Sequence, residues 1–266
     1  MTDDKAARLA AIRAANAANA ARAAAAHPPA TDPNATDDAP PAIAPAALAL
    51  MLAGAAGGAL AAALVLPAVA PTISTSLLGE NPKAYWYLSR SSAVVAYVLL
   101  WMAMMFGMLI TSKTARLWPG GPLALELHQH TSLLGLAFSV FHALILLGDH
   151  YANASLASLF VPLGFVSYRP LWVAAGQVAF YALAIIGLSF YVKQYIGRRV
   201  WRAIHVASFA TFGLALAHGI AAGSDTATPL MQGVYWLSGA SVVFLTCYRV
   251  LVSLIVRPAA RDTQRT

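Results

Sequence analysis

Four of the seven histidines, His128, His142, His205 and His218, lie inside long apolar runs of the chain. Ionisable side chains in such runs are costly and mark functional sites by default. His128 and His142 are 14 residues apart, and His205 and His218 are 13 apart. On a helix rising 1.5 Å per residue, each pair spans about 20 Å. Neutral imidazole is the commonest metal ligand in proteins, so two helices each carrying such a pair can hold two metal centres, one above the other. For any single histidine the plain alternative is a hydrogen bond between neighbouring helices.

The spacing favours some ligands over others. Fourteen steps of about 100° return the second ring to within about 40° of the first, on nearly one face. His130 is the rival to His128, but its 12-residue separation from His142 turns it about 120° away. Thirteen steps leave His218 about 140° from His205, so that helix must tighten, kink or present its sites rotated, and Gly213 between them could accommodate a deformation.

The elements that carry these residues follow from composition. Of 266 residues, 59% are hydrophobic and 10% charged, against about 25% charged in an ordinary soluble domain; mean hydropathy is +0.66. Lipid must solvate most of this surface. Six runs are long enough to cross a hydrocarbon core, at about 43–66, 86–111, 122–148, 171–192, 200–222 and 230–256. None alternates with period two, which excludes a membrane barrel. The expected fold is all-α, a six-helix transmembrane bundle. Residues 1–42 are Ala-rich and then Pro/Asp-rich, with too few large apolar groups for a core, and are expected to form a disordered tail. Residues 43–256 form the membrane domain, and 257–266 a short tail.

The formal charge of +7 follows topology and not nucleic-acid binding. Lys and Arg total 17, and all except Lys83, Arg90 and Arg169 fall in the two tails, the connection holding Lys113 and Arg116, the connection holding Lys193, Arg198, Arg199 and Arg202, and the end of the last run with Arg249. The positive-inside rule then places both termini in the cytoplasm. The third and fifth helices become parallel, with His128 level with His205 towards the inner side and His142 level with His218 towards the outer side. Two stacked histidine clamps of this kind suit two six-coordinate haems. The single cysteine, Cys247, excludes an internal disulfide, a CxxC pair, a cysteine-ligated iron–sulfur cluster and a CxxCH haem attachment. Trp86, Tyr87, Tyr168 and Trp172 read as an interfacial belt, and Gly54, Gly57 and Gly58 as close helix packing. The 155–168 stretch reads as an interfacial segment over the outer clamp.

Ser89-Arg90-Ser91-Ser92 with Ala96-Tyr97, Leu125-Glu126-Leu127-His128 through Phe141-His142, and Trp201-Arg202-Ala203-Ile204-His205 through Ala217-His218-Gly219 together resemble the ferric reductase-like transmembrane domain family. That family includes the membrane parts of NADPH oxidases and ferric reductases and the haem subunit of the methionine-sulfoxide reductase system. The resemblance covers about residues 84–256. It implies two b-type haems carrying electrons singly across a cell membrane, with His128 and His205 on the inner iron and His142 and His218 on the outer. It further implies a reduced flavin as cytoplasmic donor. The chain reaches Thr266 without a flavin or nicotinamide domain, so a cytoplasmic flavoprotein or a membrane quinol is the expected donor. The outer acceptor has no signature.

Haem propionates call for cations. Arg90 is expected to pair with an outer propionate or else to snorkel to headgroups. Arg202, with Lys193, Arg198 and Arg199, would serve the inner haem, although topology also accounts for these charges. Asp149 and Asp225, at the outer ends of the ligand helices, would position a cationic acceptor or simply solvate loops. Outside electron transfer, the histidines alone suit a haem-free proton or ion transporter, or a haem sensor or scaffold.

Overall fold

The computed structural model describes residues 40–78, 83–112, 114 and 119–262. The expected disordered tail lies outside the described residues, apart from its last three positions. The helices form a compact unit beginning at Pro41, and no strand occurs among the described residues. Six helices are long and apolar enough to cross a membrane: α1 Pro45–Val69, α2 Ala84–Thr111, α3 Gly121–Gly148, α4 Pro170–Ser189, α5 Arg198–Ala222 and α6 Pro229–Leu254. The chain is therefore an all-α, multi-pass membrane protein.

Side-chain bonds fix the directions. Ser89 and Ala103 of α2 bond His142 and His128 of α3 respectively, so these two helices are antiparallel. The Tyr97 and Ser238 hydroxyls share a 2.5 Å bond and Trp101 Nε1 donates to Ser241 at 2.9 Å, so α2 and α6 run parallel. Ala42 N–H bonds Gln129 at one end of the α1–α3 pair, and Tyr85 bridges the other. Thus α1, α3 and α5 run one way and α2, α4 and α6 the other. An even number of crossings leaves both ends of the unit on one face. "Inner" below denotes that face, where α3 begins.

The core gathers Tyr97, Leu100, Met104 and Met108 of α2 with Leu136, Leu183, Phe212 and Val242 from four other helices. Helix α3 packs closely on α2 and α1, and α5 on α4, while among the described residues α3 and α5 make no comparably close approach. The opening between α3 and α5 is where the histidine rings meet.

Three local irregularities shape this frame. In α1 the turn Ala61–Val65 is a π-helix just before Pro67. Leu66 N–H bonds Ala61 O, and Pro67 has no N–H to offer Ala62, whose carbonyl accepts the buried Tyr85 hydroxyl at 2.8 Å. The Tyr85 ring lies on Gly148, where a Cβ would stand 2.6 Å from it. Second, α3 and α5 both start from glycines at positive φ, Gly120 at 105° and Gly197 at 81°, a region few other residues enter.

Third, α5 is interrupted at Ala207, between Arg198–Val206 and Ser208–Ala222. Ala207 N–H bonds Ile204 O, three residues back, at 3.1 Å. A 3-10 turn advances about 120° per residue against about 100° in an α-helix, so it adds rotation in the direction that the 13-residue spacing lacks. Gly213, which could have accommodated a deformation, lies within the regular second segment with open space beside it. The expected close packing at Gly54, Gly57 and Gly58 is not seen among the described residues: no neighbouring segment comes within 4 Å of where their Cβ atoms would be, and all three are exposed.

Candidate functional site: two histidine pairs between α3 and α5

His128 and His205 face each other with ring centres 5.8 Å apart and planes crossed at 72°. His142 and His218 do so at 6.3 Å and 67°. A metal bound by both rings, with bonds of about 2.0–2.1 Å and about 1.1 Å from nitrogen to ring centre, would set the centres about 6.2–6.4 Å apart. The outer pair matches that span and the inner pair is slightly tighter.

Helices without a histidine in either pair aim the rings. His128 Nδ1–H donates to Ala103 O, His142 Nδ1–H to Ser89 O and His218 Nδ1–H to Trp172 O, each at 2.8 Å. With Nδ1 so committed, Nε2 keeps its lone pair for a metal, the usual support of a ligating histidine. His205 is stacked on Trp201, ring centres 5.2 Å apart and planes 29° from parallel. His130 is exposed, and its Nδ1 bonds Glu126 O of its own helix at 2.8 Å, so it stands apart from both pairs.

Two glycines make room. A Cβ at Gly107 would stand 3.2 Å from the His128 ring, and one at Gly176 would stand 2.6 Å from His218 Nδ1. The α4–α5 approach this requires is built at the outer ends of both helices. The last carbonyls of α5 lack helical partners; Ala222 O accepts from the Tyr168 hydroxyl at 2.9 Å and Ala221 O from the Arg169 guanidinium. This latch holds the first turn of α4, with Trp172 O, beside His218.

The outer pair opens into a largely apolar cavity walled by Leu100, Leu183 and Met231 and roofed by Leu159, Phe160, Phe165 and Tyr168 of the α3–α4 connection. Trp86 meets Tyr168 edge to face at 5.9 Å on the cavity wall. These two aromatics therefore belong to the site, whereas Tyr87 and Trp172 are exposed as a belt would be.

Arg90 and Asp225 both line this cavity and form a two-point ion pair, Nε to Oδ2 at 2.8 Å and Nη2 to Oδ1. Arg90 is thus held by a carboxylate of the chain itself, at the mouth of the outer site. Asp149 is buried and its Oδ1 accepts from Ala152 N–H at 2.8 Å, so it organises its loop and faces no acceptor. Arg202 is exposed on the first segment of α5, three residues before His205.

Among the described residues, two buried side-chain polar atoms lack a hydrogen-bond partner, Gln177 Oε1 and Trp201 Nε1. Gln177 lines the outer cavity and Trp201 covers His205. The sequence did not mark Ser89, Gly107, Gly176 or Gln177 as site residues, because main-chain acceptors and small residues carry no chemical signature and a lone intramembrane glutamine has no partner spacing to betray it. Comparison with family models, curated proteins and solved structures finds no match for this chain.

Proposed function

We propose that the chain is a di-haem membrane subunit of the ferric reductase-like kind, carrying electrons between the two faces of a cell membrane. The observation that carries this reading is the pair of facing imidazoles at each of two levels of one α3–α5 opening, the outer pair at metal-bridging separation and the inner slightly tighter. No group of three or more His, Cys, Asp or Glu that could hold a metal occurs among the described residues. A bare zinc ion would lack half its ligands at either pair, whereas a tetrapyrrole brings four nitrogens of its own and needs only two axial ligands. The cavity beside the outer pair is apolar enough for a macrocycle, and Arg90 at its mouth is a cation suited to a propionate.

A haem in each clamp would supply a one-electron carrier near each membrane face. In this reading His128 and His205 hold the inner iron, and His142 and His218 the outer. Ala103, Ser89 and Trp172 fix ring rotation, and the α3–α4 connection excludes water from the outer site. Arg90 divides its charge between Asp225 and a propionate, and Arg202 with its neighbours gives the inner face positive charge. That charge suits docking of an acidic flavoprotein, which predicts that reduction slows as salt rises; a quinol donor, taken up among the helices, predicts little salt dependence. The acceptor is on the outer side.

The deciding experiment is an optical spectrum of the purified protein, oxidised and dithionite-reduced, after expression with haem available. Sharp low-spin b-type bands are expected, with a pyridine haemochrome stoichiometry of two. A colourless protein would overturn the reading.

A further inference from the structure

Trp201 lies four residues before His205 on the first segment of α5, the spacing that sets two side chains on one helix face. Its indole lies against the His205 imidazole, and its Nε1–H is buried with no acceptor. An unmet buried donor is costly and rare in native interiors. Indole nitrogen is a donor only, so what it lacks is specifically an acceptor. The strongest acceptors are anionic oxygens, and the same helical segment carries Arg198, Arg199 and Arg202, so an anion at this end lies in a positive field. A neutral acceptor such as water would satisfy the bond but would gain little from that field.

We infer that Trp201 Nε1–H donates to a carboxylate of the group held by the His128–His205 clamp, which on the reading above is a propionate of the inner haem. The inference rests on that reading. Trp201 is then a binding residue that joins two tasks: its ring face packs the axial imidazole and its edge anchors the macrocycle.

The test compares the unsubstituted protein with Trp201→Phe, which keeps an aromatic ring on His205 and removes the N–H. Haem loss to a scavenging apoprotein is followed for haem and for haem dimethyl ester, whose carboxylates are blocked. Redox titration reports each midpoint potential. The variant is expected to load two haems, to lose one of them at least about tenfold faster, in keeping with a bond to a charged acceptor, and to lower the potential of that haem alone. In the unsubstituted protein the dimethyl ester should be lost faster than haem, and in Trp201→Phe this preference should shrink. Trp236→Phe, on an exposed ring, should change nothing. If the variant does not fold, the indole N–H resonance of Trp201 in the 15N-labelled parent gives the answer: a downfield shift with haem and none with the ester is expected. Equal loss rates and unmoved potentials in a folded variant, or equal indole shifts with haem and ester, would overturn the inference while leaving the two-haem reading standing. A colourless parent would remove the reading itself.

Discussion

Ser89 and His142 hold each other at two points. The imidazole Nδ1–H donates to Ser89 O at 2.8 Å, and the Ser89 hydroxyl donates to His142 O at 3.0 Å. The same hydroxyl lies 2.9 Å from Nδ1. One residue of α2 thereby sets the rotation of an α3 ring and ties down the backbone that carries it. Ser89→Ala keeps the carbonyl and removes the hydroxyl, so on the proposed di-haem reading the outer haem is expected to remain bound with a shifted potential. A redox titration that leaves the potential in place would show that the carbonyl alone orients the ring.

On the proposed di-haem reading, the pairing of rings assigns one haem to each histidine pair. His142→Ala or His218→Ala should remove the outer haem, and His128→Ala or His205→Ala the inner one, each lowering pyridine haemochrome stoichiometry from two towards one. His130→Ala should leave it unchanged, because that ring bonds its own helix. Loss with His130→Ala and retention with His128→Ala would reverse the inner assignment.

Gly176→Ala would drive a methyl group to within 2.6 Å of His218 Nδ1, a distance that forces ring or backbone to move at a cost of about 1–3 kcal/mol. The expected result is loss of the outer haem with the inner one retained. Gly213→Ala, where nothing lies within 4 Å, should load both haems normally. Full loading of Gly176→Ala would mean that α4 yields without disturbing the ring.

The Arg90–Asp225 pair predicts potentials moving in opposite directions. Asp225→Asn frees Arg90 to favour the added electron and should raise the outer potential; Arg90→Leu should lower it. Both side chains are about one-third exposed, so the pair itself adds only about 0.2–1 kcal/mol to stability, and neither change should unfold the protein. A redox titration in which neither potential moves would limit Arg90 to its bond with Asp225.

Tyr85→Phe leaves Ala62 O, in the π turn of α1, without its donor. An unmet buried carbonyl costs about 1–3 kcal/mol, so thermal denaturation in detergent should show a lowered midpoint with both haems still bound. An unchanged midpoint would mean that another donor or lipid takes the place of Tyr85.

The helices and the paired histidines were legible because length, apolarity and 14- and 13-residue spacings survive in the sequence alone. The spacing showed that α5 had to be deformed or its two sites rotated. It did not show where a deformation would fall: Gly213 was one place that could take it, and the break at Ala207 has no marker residue. Arg90 was legible as a charge out of place, but Asp225, 135 residues away, could be joined to it only by the folded helices. Gly107 and Gly176 look like any membrane glycine until the rings occupying their missing side chains are seen.

The carbonyl anchors of the imidazoles have a genetic consequence. Every codon except a stop encodes a carbonyl, so no missense change at Ala103 or Trp172 can delete the atom that aims His128 or His218; only displacement of a whole helix can. At exposed Trp172 the side chain can change while ring orientation is inherited, whereas buried Ala103 is held to small side chains by packing alone. Descent can therefore rewrite α2 and α4 extensively, leaving four histidines and the small residues opposite them as the few letters in which the site is spelled.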